Sequence, residues 1–172
     1  MGKAAIRKPK AAVRQQFGAL PYRETARAGL EILLVTSRET RRWIIPKGWP
    51  IKGLKPAESA AQEAYEEAGL HGTTANRSLG AYEYEKRLVE KHTAVPCEVK
   101  VYPMRVRRQD ATWPEQEERD TLWFSPAAAI AAVSEDGLKT IIADFAVRRP
   151  KSDPGGSKPK TKRKRPDGTG SI

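Results

Sequence analysis

The segment from Pro56 to Gly69, PAESAAQEAYEEAG, constrains the fold more than any other stretch of the chain. Pro56 suits the first turn of a helix and Gly69 its C-terminal cap. At about 100° per residue, Ala57, Ala60, Ala61, Ala64 and Ala68 fall within roughly ±60° of one direction. A face built only of methyl groups can approach a neighbouring sheet closely. Glu63, Glu66 and Glu67 point the other way, with Glu63 and Glu67 one turn apart. Like charges at that spacing destabilise a helix. The acidic face is therefore either solvated surface or the seat of something doubly positive. Three carboxylates offer the hard oxygen ligands that Mg²⁺ or Mn²⁺ takes, often shared with substrate phosphates.

The segments around this helix read mainly as strands. GLEILLVTSR (29–38) is a short apolar run with a polar exit, and RWIIPKG (42–48) a second one ending in Pro-Lys-Gly. QQFGALPYR (15–23) reads as an edge strand. SLGAYEYEKRL (78–88) and CEVKVYPMRVRR (97–108) alternate in the manner of half-exposed strands, expected to pair antiparallel. DTLWFSP (120–126) is a last short strand, after which Pro126 starts an alanine-rich helix and residues 135–147 form another. Strands interrupted by one helix and closed by two argue for an α+β or layered α/β domain.

The net charge of +11 in 172 residues is unevenly placed. Residues 1–14 carry five basic side chains and no acid, and residues 148–172 carry nine against Asp153 and Asp167, which leaves the body nearly neutral. The domain is accordingly expected over residues 15–147, between a basic N-terminal extension (1–14) and a basic tail (148–172). The tail is rich in Pro, Gly and Lys and poor in apolar residues, a composition that does not offset its ordering entropy, so it reads as disordered. It is either a solvated extension or a weak contact for RNA, DNA or another polyanion. No apolar run approaches the roughly 20 residues that span a bilayer. Cys97 stands alone in a strand-like run, which fits a buried thiol in a reducing cytoplasm and excludes a disulfide framework.

Gly48 through Leu70, GWPIKGLKPAESAAQEAYEEAGL, resembles the Nudix box, G-x5-E-x7-R-E-U-x-E-E-x-G-U, in which U is a bulky aliphatic. Gly48 falls on the first glycine, Glu63 on the R-E glutamate, Glu66 and Glu67 on the E-E pair, and the spacing has no gap. Flanking VTSRETRRWIIPKG and WPEQEERDTLWF look like the diphosphoinositol polyphosphate and diadenosine polyphosphate hydrolase branch. The resemblance covers about residues 15–147. It implies a mixed β-sheet sandwich flanked by helices, a divalent cation (Mg²⁺ or Mn²⁺), and hydrolysis of a phosphoanhydride. Carried over by position, Glu63 and Glu67 are metal ligands, Glu66 a further ligand or the base, and the Gly48 carbonyl an added ligand. Leu54 stands where the box has its first glutamate, Gln62 where it has arginine, and Ala64 where it has a larger aliphatic. The expectation is a site that keeps its metal ligands and loses part of what holds them in place.

Water attack on phosphorus needs a proton acceptor. Glu66 is the first candidate, with Glu115, Glu117 and Glu118 of the later loop as rivals. A phosphorylated substrate needs cationic donors, and Arg38, Arg42, Lys47, Lys52 and Arg87 are the candidates, with Lys55, Lys86, Lys91 and His92 nearby. Such a concentration of charge favours a diadenosine polyphosphate or an inositol pyrophosphate. ADP-ribose-like compounds, isoprenyl diphosphates and capped RNA ends are the alternatives, as is binding of a phosphorylated ligand without turnover. Trp43, Trp49, Tyr82, Tyr84 and Trp113 are candidates to stack a base.

Overall fold

A computed structural model describes residues 12–88 and 93–148 of the chain. The basic tails beyond these limits, Lys91 and His92 lie outside the described residues. The strands are β1 (Arg14–Thr25), β2 (Gly29–Thr36), β3 (Trp43–Ile44), β4 (Lys47–Gly48), β5 (Leu70–Thr74), β6 (Gly80–Leu88), β7 (Thr93–Gln109) and β8 (Thr121–Phe124). The helices are α1 (Pro56–Ala68), α2 (Pro126–Ala132) and α3 (Asp136–Arg148).

β1 is not the edge strand that its sequence suggests. It runs through the middle of an eight-stranded mixed sheet, parallel to β7 and antiparallel to β2 and β4. Proline removes a ladder donor and usually marks an edge. Here Pro21 and Pro103 fall where a long strand changes partners, while Pro96 lies within the β6–β7 pairing. On one side of β1, pairing with β4 covers Phe17 and Gly18 and pairing with β2 begins at Tyr22, with Pro21 between. On β7, pairing with β6 ends at Val101 and pairing with β5 begins at Met104, with Pro103 between. The expected antiparallel pairing of β6 with β7 is present from Gly80–Val101 to Leu88–Thr93.

The run RWIIPKG is also two strands, not one. Trp43 and Ile44 pair with β2, whereas Lys47 and Gly48 pair with β1, so the chain crosses from one neighbour to the next at Pro46. This crossing carries Lys47 and Gly48 to the ridge beneath α1.

The sheet is buried on both faces. Ile32 and Leu34 of β2 face one core and Leu33 and Val35 the other, as the two-residue strand period requires. On the first face α2 and α3 cover Leu20, Val99 and Val101 with Leu138, Ile141 and Ile142. On the second, Ala57, Ala60, Ala64 and Ala68 of α1 lie against Ala19, Leu33, Val35 and Tyr102. Ala61, at the rim of the alanine face, is half-buried.

Helix termini follow their sequence signals. The Lys55 amide donates to Glu58 Oε2 at 2.8 Å, closing the start of α1. Gly69 ends the helix at φ 66°, with its amide bonded to the Tyr65 carbonyl at 2.8 Å. Ser125 caps α2 by accepting the Ala128 amide at 3.2 Å. Cys97 is fully buried, and burial raises its thiol pKa. Among the described residues no helix is long and apolar enough to cross a membrane.

Candidate active site

The alanine face brings α1 close enough to β4 that Glu63 rests on Gly48. A Cβ at Gly48 would overlap the Glu63 carboxylate, so only glycine leaves that space. Burial, with Glu66 and Glu115 adding to it, raises the Glu63 pKa. Glu66, one turn from Gln62, accepts a hydrogen bond from Gln62 Nε2 at 2.7 Å. Its backbone carbonyl accepts the Glu115 amide at 3.0 Å, which seats the loop before β8 on the helix. Trp113 of that loop packs directly over Gly69.

Of the two readings of the acidic face, solvated surface does not hold for Glu67. Its residue is only 3% exposed. Oε1 lies 2.8 Å from Arg119 Nη2, and Oε2 is buried without a hydrogen-bond partner. Burial pushes its carboxyl up to about 7, against the opposing pull of Lys47 and Arg119. Arg119 in turn bonds Glu115 Oε2 through Nε at 2.6 Å and donates from Nη1 to the Thr36 carbonyl at 2.9 Å. Gln62, at the arginine position of the box, bonds Glu66, and a guanidinium from the loop before β8 holds Glu67.

A cavity of about 510 Å³ has none of Glu63, Glu66 and Glu67 in its lining and is linked to them through Arg119, the partner of Glu67. Arg38, Arg42, Lys47, Lys86, Arg87 and Arg119 line it, against Glu39, Glu85 and Glu135. Such an excess of cations is what a polyanion would meet. Four of the five candidate substrate-binding cations, Arg38, Arg42, Lys47 and Arg87, thus share one cavity. Lys52 does not line it and lies exposed in the turn ahead of α1. Burial lowers the Lys47 pKa, partly countered by Glu67 and reinforced by Arg119 and Lys86. Arg42 lies 3.4 Å from Glu135 Oε1, and Arg38 lies 3.2 Å from Glu118.

The aromatic candidates divide. Trp43 packs edge-on against Phe124, and Tyr82 is buried in the core beneath α3. Trp49 is covered by Arg14 and Lys86, whose charged heads lie 4.1 and 4.8 Å from its ring centre. Tyr84 lines the cavity and donates its hydroxyl to Gln16 at 2.6 Å.

The residues fit a divalent cation in chemistry. Glu67 Oε2 is an unpartnered buried oxygen, Glu63 is held over the Gly48 backbone, and burial raises both carboxyls, a cost that a bound cation would offset. As the side chains stand, no three His, Cys, Asp or Glu among the described residues converge on one point. Arg119 and Gln62 occupy Glu67 and Glu66 instead.

The chain matches the NUDIX domain over residues 13–145 and belongs to the Nudix family. It is 31% identical over 143 residues to "Nudix hydrolase 21, chloroplastic" of Arabidopsis thaliana, covering 81% of this chain and 69% of that one. Other curated plant Nudix hydrolases at 26–27% identity are spanned over 58–64% of their lengths. Among solved structures, a Caenorhabditis elegans Ap4A hydrolase binary complex superposes with TM-score 0.59 at 19% identity, covering 78% of this chain and 96% of that one. The NUDIX domain of Shewanella oneidensis NrtR complexed with ADP ribose gives 0.59 at 14%, covering 83% and 94%. At these identities the superpositions establish the fold, a mixed sheet with three helices. Membership makes the chain a Nudix hydrolase, an enzyme acting on phosphorus-containing anhydrides.

Proposed function

We propose that the chain is a Mg²⁺- or Mn²⁺-dependent pyrophosphohydrolase cleaving a phosphoanhydride in a highly phosphorylated substrate, a diadenosine polyphosphate or an inositol pyrophosphate. The observation that carries this is the cavity with six cationic side chains against three acids, one of whose cations, Arg119, is paired with Glu67. Its charge favours several phosphates over one. Glu63, Glu66, Glu67 and the Gly48 carbonyl are the groups that would hold the cation. When bound, it neutralises phosphate oxygens and lowers the pKa of a bound water.

In this reading Arg38, Arg42, Lys47 and Arg87 bind and orient the phosphates. The water oxygen forms a new bond to phosphorus, the bridging phosphorus–oxygen bond breaks, and the water proton passes to a carboxylate. Glu66 is the proposed acceptor, because the side chain found bonded to it is the neutral Gln62 amide. The rivals Glu115 and Glu118 are each committed to a guanidinium, of Arg119 and Arg38. Glu117 is exposed. The basic tails are proposed as a weak polyanion contact. Deletion from Lys151 onward should then lower salt-sensitive RNA binding.

The competing reading is a module that binds a phosphorylated ligand without turnover. Two features favour it: Arg119 already engages Glu67, and Leu54, at the box's first glutamate, is a 41% exposed apolar side chain. A phosphate-release screen with Mg²⁺ or Mn²⁺ separates the two. It should include both proposed substrates, ADP-ribose, isoprenyl diphosphates and capped RNA. Turnover should be highest on the polyphosphates, with KM raised by Lys47→Ala and Arg87→Ala and unchanged by Lys52→Ala. Tight binding of one compound without turnover of any supports the module, and fastest cleavage of ADP-ribose overturns the substrate class.

A further inference from the structure

Among the described residues, Arg119 and Glu67 are the charged side chains buried as deeply as the core. A guanidinium so placed keeps its charge at any ordinary pH and must find acceptors. Arg119 finds three, on three separate segments: Glu67 on α1, Glu115 on its own loop, and the Thr36 carbonyl at the end of β2. Nothing short of the full fork reaches all of them, and a lysine head lacks that planar spread. The same junction is closed by the Glu115 amide on the Glu66 carbonyl and by the Asp120 amide on Thr36 Oγ1 at 2.9 Å. Arg119 also lines the cationic cavity, so it joins the acidic helix to the phosphate-facing wall.

We infer that Arg119 is a positioning residue, which fastens the 110–120 loop to α1 and fixes Glu67 and Glu115 relative to each other for cation binding. This rests on the reading of α1 as the cation-holding helix. The box arginine's place on the helix itself is taken by Gln62, which reaches Glu66 and leaves Glu67 to the loop. The chain thus holds its acids from across the fold, through a contact that exists only when the loop is seated.

The experiment uses the full chain without substrate. Mn²⁺ binding is titrated for wild type, Arg119→Lys, Arg119→Gln and Glu115→Gln, and amide exchange is followed at Glu115 in each. Glu115→Gln keeps Arg119 paired to Glu67 and Thr36, so it remains informative where an Arg119 variant fails to fold. Removing the groups that orient metal ligands typically weakens the metal about 10–100-fold, and that loss is expected for Arg119→Gln. Arg119→Lys should recover only part of it. Exchange at Glu115 should rise in all three variants. Mn²⁺ binding equal to or tighter than wild type in Arg119→Gln, with Glu115 exchange unchanged, overturns the inference and makes Arg119 a mere occupant of Glu67. A wild type that binds no Mn²⁺ overturns the cation reading and the inference's metal clause with it. Exchange at Glu115 then still decides whether Arg119 fastens the loop.

Discussion

The two faces of the sheet carry helices for different reasons. On the α2–α3 face the contact is made by bulk: Leu138, Ile141 and Ile142 fill the space over Leu20, Val99 and Val101, and Phe145 closes the rim. On the α1 face it is made by smallness: four buried alanines let the helix settle near the strand backbone. The first arrangement maximises buried apolar area. The second gives up area for proximity, and proximity is what sets Glu63 on Gly48 and Glu67 beside Lys47 and Arg119. One face stabilises the fold and the other places the acids.

That contrast makes unequal demands on the two faces. Truncating the bulky face should cost the most stability: Leu138→Ala is expected to lower unfolding free energy by about 2–5 kcal/mol. Mn²⁺ affinity of the molecules that remain folded should be unchanged. Enlarging the small face should cost less stability and more function. Ala64→Leu is expected to destabilise by about 1–3 kcal/mol while weakening Mn²⁺ binding, because it lifts α1 off the sheet. Denaturant unfolding and metal titration on the same variants separate the two faces. Equal metal loss in both variants would erase the distinction. Gly48→Ala is narrower still, with little change in melting but weaker Mn²⁺ binding, since its methyl group overlaps the Glu63 carboxylate.

The smallest expected effect is a slope in pH. In the metal-free protein, burial holds the Glu67 carboxyl at about 7, above its ordinary 4.5. The folded form therefore binds that proton more tightly than the unfolded form does. Its contribution to stability is fully present below 4.5 and is lost as pH rises through about 7. Glu67→Gln should flatten that stretch of the stability profile. An equally steep profile in the variant would place the titration elsewhere.

Much of this could be read along the chain, where the information is local. The period of α1, its alanine and glutamate faces and its Pro and Gly ends all lie within one segment, and so do the runs of β2, β6, β7 and β8. What depended on distant pairing was misread or missed. β1 looks like an edge because Pro21 lacks a donor, yet β4 and β2 flank that gap. β5, Leu-His-Gly-Thr-Thr, has too few apolar residues to announce a strand and is defined by β7 alone. The acids of the site were legible from their spacing, and the gathering of Arg38, Arg42, Lys47 and Arg87 was legible as charge density. Arg119 was not, because in sequence it is one basic letter inside Glu-Gln-Glu-Glu-Arg-Asp. Only the fold turns it inward onto Glu67, and that inward turn is also why Glu67 is buried.

The role proposed for the acids on α1 is to drive hydrolysis of a substrate held by the cationic cavity. Its most direct measurement is steady-state cleavage of diadenosine tetraphosphate by wild type and Glu67→Gln, with Mg²⁺ or Mn²⁺ and again with chelator. Cation-dependent turnover by wild type, reduced on the order of 10²–10⁴-fold in a folded Glu67→Gln protein, is the expected result. Turnover that survives both the chelator and the substitution would contradict it.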